Sequence, residues 1–158
     1  MEDFINWIYG WKSFYGIELY DHLKGWDETI MNYNADFYQF DSILFTITGF
    51  AIITFLLYYY ILNNPRLNHW WHWLMSLCIV ALLAYFWGYY IVDVDIQNGA
   101  ISSDLINQIG SKNAVFFGLY NAILASIIFC ILSALFRHWS KNCKHSPYTS
   151  LFTKMKKQ

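Results

Sequence analysis

Five histidine and cysteine side chains have the chemistry to bind a zinc ion together. His69 and His72 lie one helical turn apart at the start of an apolar run, and His138, Cys143 and His145 follow a later one. Zinc binds imidazole nitrogen and thiolate sulfur in tetrahedral sets of four. The spacing matches no compact zinc finger, and histidines beside tryptophans are common at membrane surfaces. We therefore expect no bound metal, and these five residues are the candidates if one is present.

Other catalytic signatures are absent from the sequence. It contains no HExxH motif, no glycine-rich phosphate loop and no carboxylate pair within an apolar run. We therefore expect no catalytic residues, no cofactor and no enzymatic activity. A membrane enzyme that uses the histidine and cysteine cluster remains as a second alternative.

Asn121 is the strongest polar group within the apolar runs. A buried amide is costly unless it is hydrogen-bonded, so this side chain is expected to face protein or water. A hydrogen bond between two helices, worth about 1 kcal/mol, is the simpler interpretation. The alternative is an amide that lines a pore.

Small residues recur at every fourth position in one apolar run. They are Ala114, Gly118, Ala122, Ser126, Cys130 and Ala134, with a shorter series at Ala81, Ala84 and Gly88. Such spacing lets two helix backbones approach closely. A four-residue step drifts about 40° per turn around a helix, so one partner can use only about three of the six positions. We predict helix packing at Ala84, Gly88, Ala114, Gly118, Ala122 and Ser126, within one chain or between copies.

The elements that carry these residues are predicted from composition. The 158 residues are 57% hydrophobic, 22% aromatic and 13% charged, whereas a soluble domain has about 25% charged residues. Residues 42–64, 70–92 and 113–136 contain no charged side chain. Each run reaches about 33 Å as a helix, enough to cross a hydrocarbon core of about 30 Å. The sequence therefore predicts an all-α integral membrane protein with three transmembrane helices, flanked by aromatic belts.

The flanking regions form two further units. Residues 1–41 are predicted to be an amphipathic, interfacial segment that packs on the spans or on a partner, and residues 137–158 a basic tail. The N-terminal segment is interrupted at Gly10, Gly16 and Gly25, so it forms one or two helices. Its apolar stripe comprises Phe4, Ile8, Trp11, Tyr15, Leu19, Leu23 and Trp26. Residues 93–112 are predicted to be a loop with a short helix that starts at Ser102 or Ser103 and includes Ile109.

Lysine and arginine set the predicted orientation. Seven of them lie in the 63–69 turn or after the third run, and three lie elsewhere. The cytoplasmic side of a membrane protein carries the excess of these residues. We therefore expect a multi-pass protein of the cell membrane with its N-terminus outside and its C-terminus in the cytoplasm. The seven are Arg66, Arg137, Lys141, Lys144, Lys154, Lys156 and Lys157; the three are Lys12, Lys24 and Lys112.

These features lead to a functional expectation at the level of physical class. The net charge of −1 excludes a globally basic nucleic-acid binder, and the expected partners are the lipid bilayer and other membrane subunits. We expect a non-enzymatic, membrane-embedded subunit that assembles with itself or with a larger transport, secretion or defence complex. The first alternative is an oligomeric ion-conducting pore or membrane-perturbing effector.

Overall fold

The N-terminal segment folds into three short helices. The computed structural model of the chain describes residues 2–27, 31–61, 69–98, 109, 111–136 and 140. The short helices are α1 (Glu2–Ile8), α2 (Lys12–Tyr15) and α3 (Ile17–Leu23). Gly10 lies in the first break and Gly16 in the second, where φ is +105° and a side chain would strain the backbone. The segment therefore forms three helices where one or two were expected.

A small hairpin follows these helices. Strands β1 (Trp26–Asp27) and β2 (Asn32–Tyr33) pair antiparallel, and a 3₁₀ turn at Ala35–Phe37 leads into the long helices. The Asn34 side chain accepts a hydrogen bond of 3.0 Å from the backbone N–H of Asp36 and so starts that turn. The sequence does not predict this hairpin. It is a small exception in a chain whose described residues are 85% helical.

Three long helices form the body of the molecule. They are α4 (Phe40–Leu56), which continues as a π-helical turn at Leu57–Ile61, α5 (Trp70–Gln97) and α6 (Ser111–Phe136). All three are long and apolar enough to cross a membrane. This confirms the helical class, and the apolar helices indicate a membrane location.

Helix α5 extends beyond the charge-free run. Residues 93–97, expected in a loop, continue it to Gln97. The Gln97 amide donates a hydrogen bond of 2.7 Å to Asp93 Oδ2 one turn earlier, which stabilises the added turn. The rest of the predicted loop, apart from Asn98, Ile109 and residues 111–112, lies outside the described residues, as do residues 62–68 and most of the tail.

The core of the bundle has two parts. One joins the N-terminal helices to the start of α4, the end of α5 and the start of α6; the other lies midway along the three long helices. We call the end of the bundle that contacts the N-terminal helices the capped end. Large apolar side chains on the outer faces of the long helices remain exposed, among them Phe45, Leu83 and Ile127. Such an apolar surface suits contact with lipid.

We refer to residues 2–27 and 31–38 as the N-terminal cap. Its buried side follows the predicted stripe only in part, because the glycine breaks shift the helical register. Tyr15, Leu19 and Leu23 of the stripe are buried against the bundle, but Phe4, Trp11 and Trp26 are exposed. Ile5 and Tyr9 are buried on α1 and just after it. These exposed rings give the outside of the cap an aromatic surface.

Candidate functional site: the α6 small-residue face and the Asn121 network

The backbones of α5 and α6 come close together at two glycines. A Cβ atom added at Gly118 would lie 2.8 Å from the carbonyl oxygen of Tyr85, and one added at Gly88 would lie 3.3 Å from Gly118 Cα. Neither position has room for a side chain. Ala84 and Ala114 are buried nearby along the two helices. Four of the six predicted packing residues therefore lie inside the bundle.

Asn121 is fully buried next to this contact. Its Oδ1 accepts a hydrogen bond of 2.9 Å from the Tyr9 hydroxyl, and its Nδ2 donates one of 2.9 Å to the Phe117 carbonyl. A Cβ atom at Gly88 would lie 2.6 Å from that Nδ2, so glycine at this position makes room for the amide. The side-chain partner of Asn121 thus lies in the N-terminal cap, whereas the sequence suggests a partner on another span or a pore.

Two more tyrosine hydroxyls donate to carbonyls of the cap, one from within the cap and one from α6. Tyr15 donates a hydrogen bond of 2.6 Å to the Tyr9 carbonyl, and Tyr120 donates one to the Ile8 carbonyl. The Tyr9 ring stacks on Phe40 at 4.5 Å between centroids. Burial raises the pKa of both Tyr9 and Tyr15 above the ordinary tyrosine value of 10.0. Both hydroxyls therefore remain protonated donors at neutral pH.

The remaining small residues of α6 lie on a different face. Ala122, Ser126 and Cys130, together with Ala81 of α5, line an open apolar groove of about 460 Å³. Its walls are large aliphatic side chains: Leu119, Ile123, Ile127 and Ile131. The Ser126 hydroxyl donates a hydrogen bond of 2.8 Å to the Ala122 carbonyl of its own helix. The groove therefore presents small, almost entirely apolar groups, and we call it the α6 groove.

The candidate metal ligands are only partly described. The His69 and His72 rings lie 6.0 Å apart between centroids. His69 is exposed, and Nδ1 of His72 is buried with no hydrogen-bond partner in the described part of the chain. His138, Cys143 and His145 lie outside the described residues. Within the described part of the chain no three His, Cys, Asp or Glu side chains gather closely enough to hold a metal ion.

A polar cluster that the sequence does not predict lies at the capped end. His22 Nε2 lies 3.0 Å from Asp95 Oδ2, and Gln39 Nε2 donates a hydrogen bond of 2.9 Å to the same oxygen. The cluster joins α3, the residue before α4 and the end of α5. No spacing rule could have found it, because His22 and Asp95 are 73 residues apart.

These sites provide surfaces and hydrogen bonds for packing. In the described part of the chain, these sites form surfaces that suit contact with helices and lipids. No protein-family model matches the chain, and no curated protein or solved structure matches it either.

Proposed function

We propose that this chain is a non-enzymatic, membrane-embedded subunit that assembles through the α6 groove, in the first place with a second copy of itself. The observation that supports the proposal is the groove itself. Ala122, Ser126 and Cys130 occur at four-residue steps on a face that no other described part of the chain covers. A larger transport, secretion or defence complex would use the same surface.

The physics of a bilayer favours such a contact. Lipid tails are as apolar as leucine, so transmembrane helices gain little by simply hiding apolar surface from lipid. They associate where small residues let backbones approach and ridges of larger side chains interlock. The α6 groove has a floor of small residues and walls of isoleucine and leucine, which is the shape that accepts a neighbouring helix.

The orientation is part of the same proposal. We place the N-terminal cap outside and the C-terminal tail in the cytoplasm, because most lysines and arginines flank the opposite end of the spans. Ser13 is exposed on the cap and is suitable for a single labelling cysteine. In intact cells, a Ser13→Cys variant without the native cysteines should react with a membrane-impermeant maleimide. Reaction only after lysis would reverse the orientation.

Crosslinking tests self-association directly. Each test variant carries a single cysteine, and its other native cysteines are replaced. The single cysteine is at position 126 or 130, in the α6 groove, or at position 78, which is exposed outside the groove. A disulfide needs Cβ atoms about 3.5–4.5 Å apart. Mild oxidation in membranes should give a dimer from position 126 or 130 but not from position 78. A dimer only from position 78 would place the interface elsewhere.

A matched pair of substitutions tests the role of the small side chains. Ala122→Leu fills the α6 groove and should abolish the crosslink. Gly49→Leu is the control, because a Cβ atom at Gly49 meets no atom within 4 Å and the position does not line the groove. Equal crosslinking by both variants would refute the proposed interface.

A further inference from the structure

A second pocket opens on the side of the bundle near the capped end. It has a volume of about 310 Å³ and lies between the start of α4 and the last turns of α5. Gln39, Ser42, Trp87, Tyr90 and Asp95 contribute its polar and aromatic groups. Ser42 and Tyr90 are exposed, so the pocket is open to the surroundings of the bundle. We call it the α4–α5 pocket.

One end of this pocket carries a negative charge. The Asp95 side chain is only 16% exposed, and both of its contacts, with His22 and Gln39, use the same oxygen, Oδ2. No donor from residues 2–27, 31–61, 69–98 or 111–136 is found at Oδ1, which can therefore accept from a ligand. Among the described residues, no lysine or arginine lines the pocket. The carboxylate therefore favours a cationic group that can donate a hydrogen bond.

Trp87, which also lines the pocket and lies about two turns of α5 before Asp95, has an unused donor. The indole Nε1 of Trp87 is buried and has no hydrogen-bond partner among the described residues. Its ring lies 6.0 Å from that of Tyr90 between centroids. A buried N–H without an acceptor is unfavourable, so a ligand with an acceptor oxygen at this level would be stabilised.

The separation of the two groups restricts the ligand. Trp87 and Asp95 are eight residues apart on one helix, which places them about 12 Å apart along its axis. Ile43 and Ile91 add apolar surface to the pocket. The matching ligand has an ammonium group at one end, acceptor oxygens further along and an apolar remainder. Phospholipids with an ethanolamine headgroup have this sequence of groups, and their ester oxygens lie deeper in the bilayer than the amine.

We infer that the α4–α5 pocket binds an aminophospholipid, with its ammonium at Asp95 and an ester oxygen at Trp87 Nε1. The inference rests on the proposed membrane insertion but is independent of self-association, because the pocket lies within a single chain. An anionic headgroup would place its negative charge beside Asp95. The pocket should therefore discriminate against lipids such as phosphatidylglycerol.

The test measures lipid binding to the full chain in an uncharged maltoside detergent by native mass spectrometry. Phosphatidylethanolamine and phosphatidylglycerol with the same acyl chains are compared over the same concentration series. We expect half-saturation with phosphatidylethanolamine at a concentration at least tenfold lower. Equal binding of the two lipids would overturn the inference.

Substitutions locate the binding. Asp95→Asn should weaken phosphatidylethanolamine binding at least fivefold, whereas Asp93→Asn is the matched control, since Asp93 is on the same helix, accepts a hydrogen bond from Gln97 and does not line the pocket. Trp87→Phe removes the N–H but leaves the His22–Asp95 contact, and it too should weaken binding. Equal effects of Asp95→Asn and Asp93→Asn, with none from Trp87→Phe, would contradict the assignment.

A soluble competitor separates the lipid from a free amine. Phosphoethanolamine carries the same headgroup without acyl chains, so it should compete only at concentrations far above those of the lipid. Competition at equal concentration would overturn the lipid as the occupant. Failure of the groove crosslink would leave the lipid preference unchanged, so the two proposals can fail separately.

Discussion

The hydrogen bond between Tyr9 and Asn121 should hold the N-terminal cap on the bundle. Tyr9→Phe removes one hydroxyl and keeps the ring that stacks on Phe40. It leaves Oδ1 of Asn121, a fully buried residue, without its donor. An unsatisfied buried acceptor costs about 1–3 kcal/mol, and polar pairs within membranes are worth up to about 1.7 kcal/mol. We expect a loss of about 1–2 kcal/mol in the free energy of cap docking.

That loss can be measured by hydrogen exchange. A cost of about 1–2 kcal/mol raises the population of the undocked cap roughly fivefold to thirtyfold. Amides of α1 and α3 that exchange through undocking should therefore exchange faster by the same factor in the detergent-solubilised protein. Amides midway along α5 and α6 should be unaffected, because the second core cluster does not include Tyr9.

Two comparisons show whether the hydrogen bond itself is responsible. Tyr85→Phe is the matched control, since no described residue hydrogen-bonds to its hydroxyl. In a double-mutant cycle, Tyr9→Phe and Asn121→Leu should be coupled by about 1 kcal/mol, because each removes the same contact. Strict additivity, or faster cap exchange in Tyr85→Phe as well, would refute the reasoning.

Three further outcomes are expected. Gly118→Leu should destabilise the folded monomer by more than about 2 kcal/mol, because even a Cβ atom there would lie 2.8 Å from the Tyr85 carbonyl oxygen. Unfolding in mixed micelles measures this loss of stability, and an unfolding midpoint equal to that of the wild type would contradict the close contact. Because the folded-state pKa values of Tyr9 and Tyr15 lie above 10.0, their contribution to stability is complete below pH 10 and is lost as the pH rises through the folded-state values. Tyrosinate absorbance at 295 nm should then show at least two late-ionising hydroxyls, and ionisation of all tyrosines near pH 10 would contradict the burial of Tyr9 and Tyr15. Liposomes that contain the purified chain should retain an ion gradient, because Asn121 is enclosed by Tyr9 and the bundle; a dye-detected ion flux that Asn121→Leu changes would favour a pore.

The long helices were predictable from the sequence because their signal is local. A charge-free run of bilayer length must satisfy its backbone hydrogen bonds internally, and a helix does so without a partner. The end of α5 was not predicted, because Asp93 and Asp95 look like loop charges in sequence. They continue the helix because Gln97, His22 and Gln39 provide contacts for their carboxylates.

The candidate site was predictable only in part. The 40° drift of a four-residue repeat explains why Gly118 faces α5 whereas Ala122 and Ser126 line the α6 groove. The partner of Asn121 could not be predicted, since Tyr9 is 112 residues away and belongs to a segment whose register changes at each glycine break. Contacts set by tertiary structure leave no periodic signal in the sequence.

The hydrogen bond between Tyr9 and Asn121 also sets an order of events during biosynthesis. Tyr9 leaves the ribosome well before its acceptor, which lies on α6, 112 residues later. At about 5–20 residues per second, this interval lasts roughly 6–22 s. Throughout that time the aromatic side of the N-terminal segment has no completed bundle to cover it. The nascent segment is therefore available to chaperones until α6 has been synthesised, and the cap can dock only after that point.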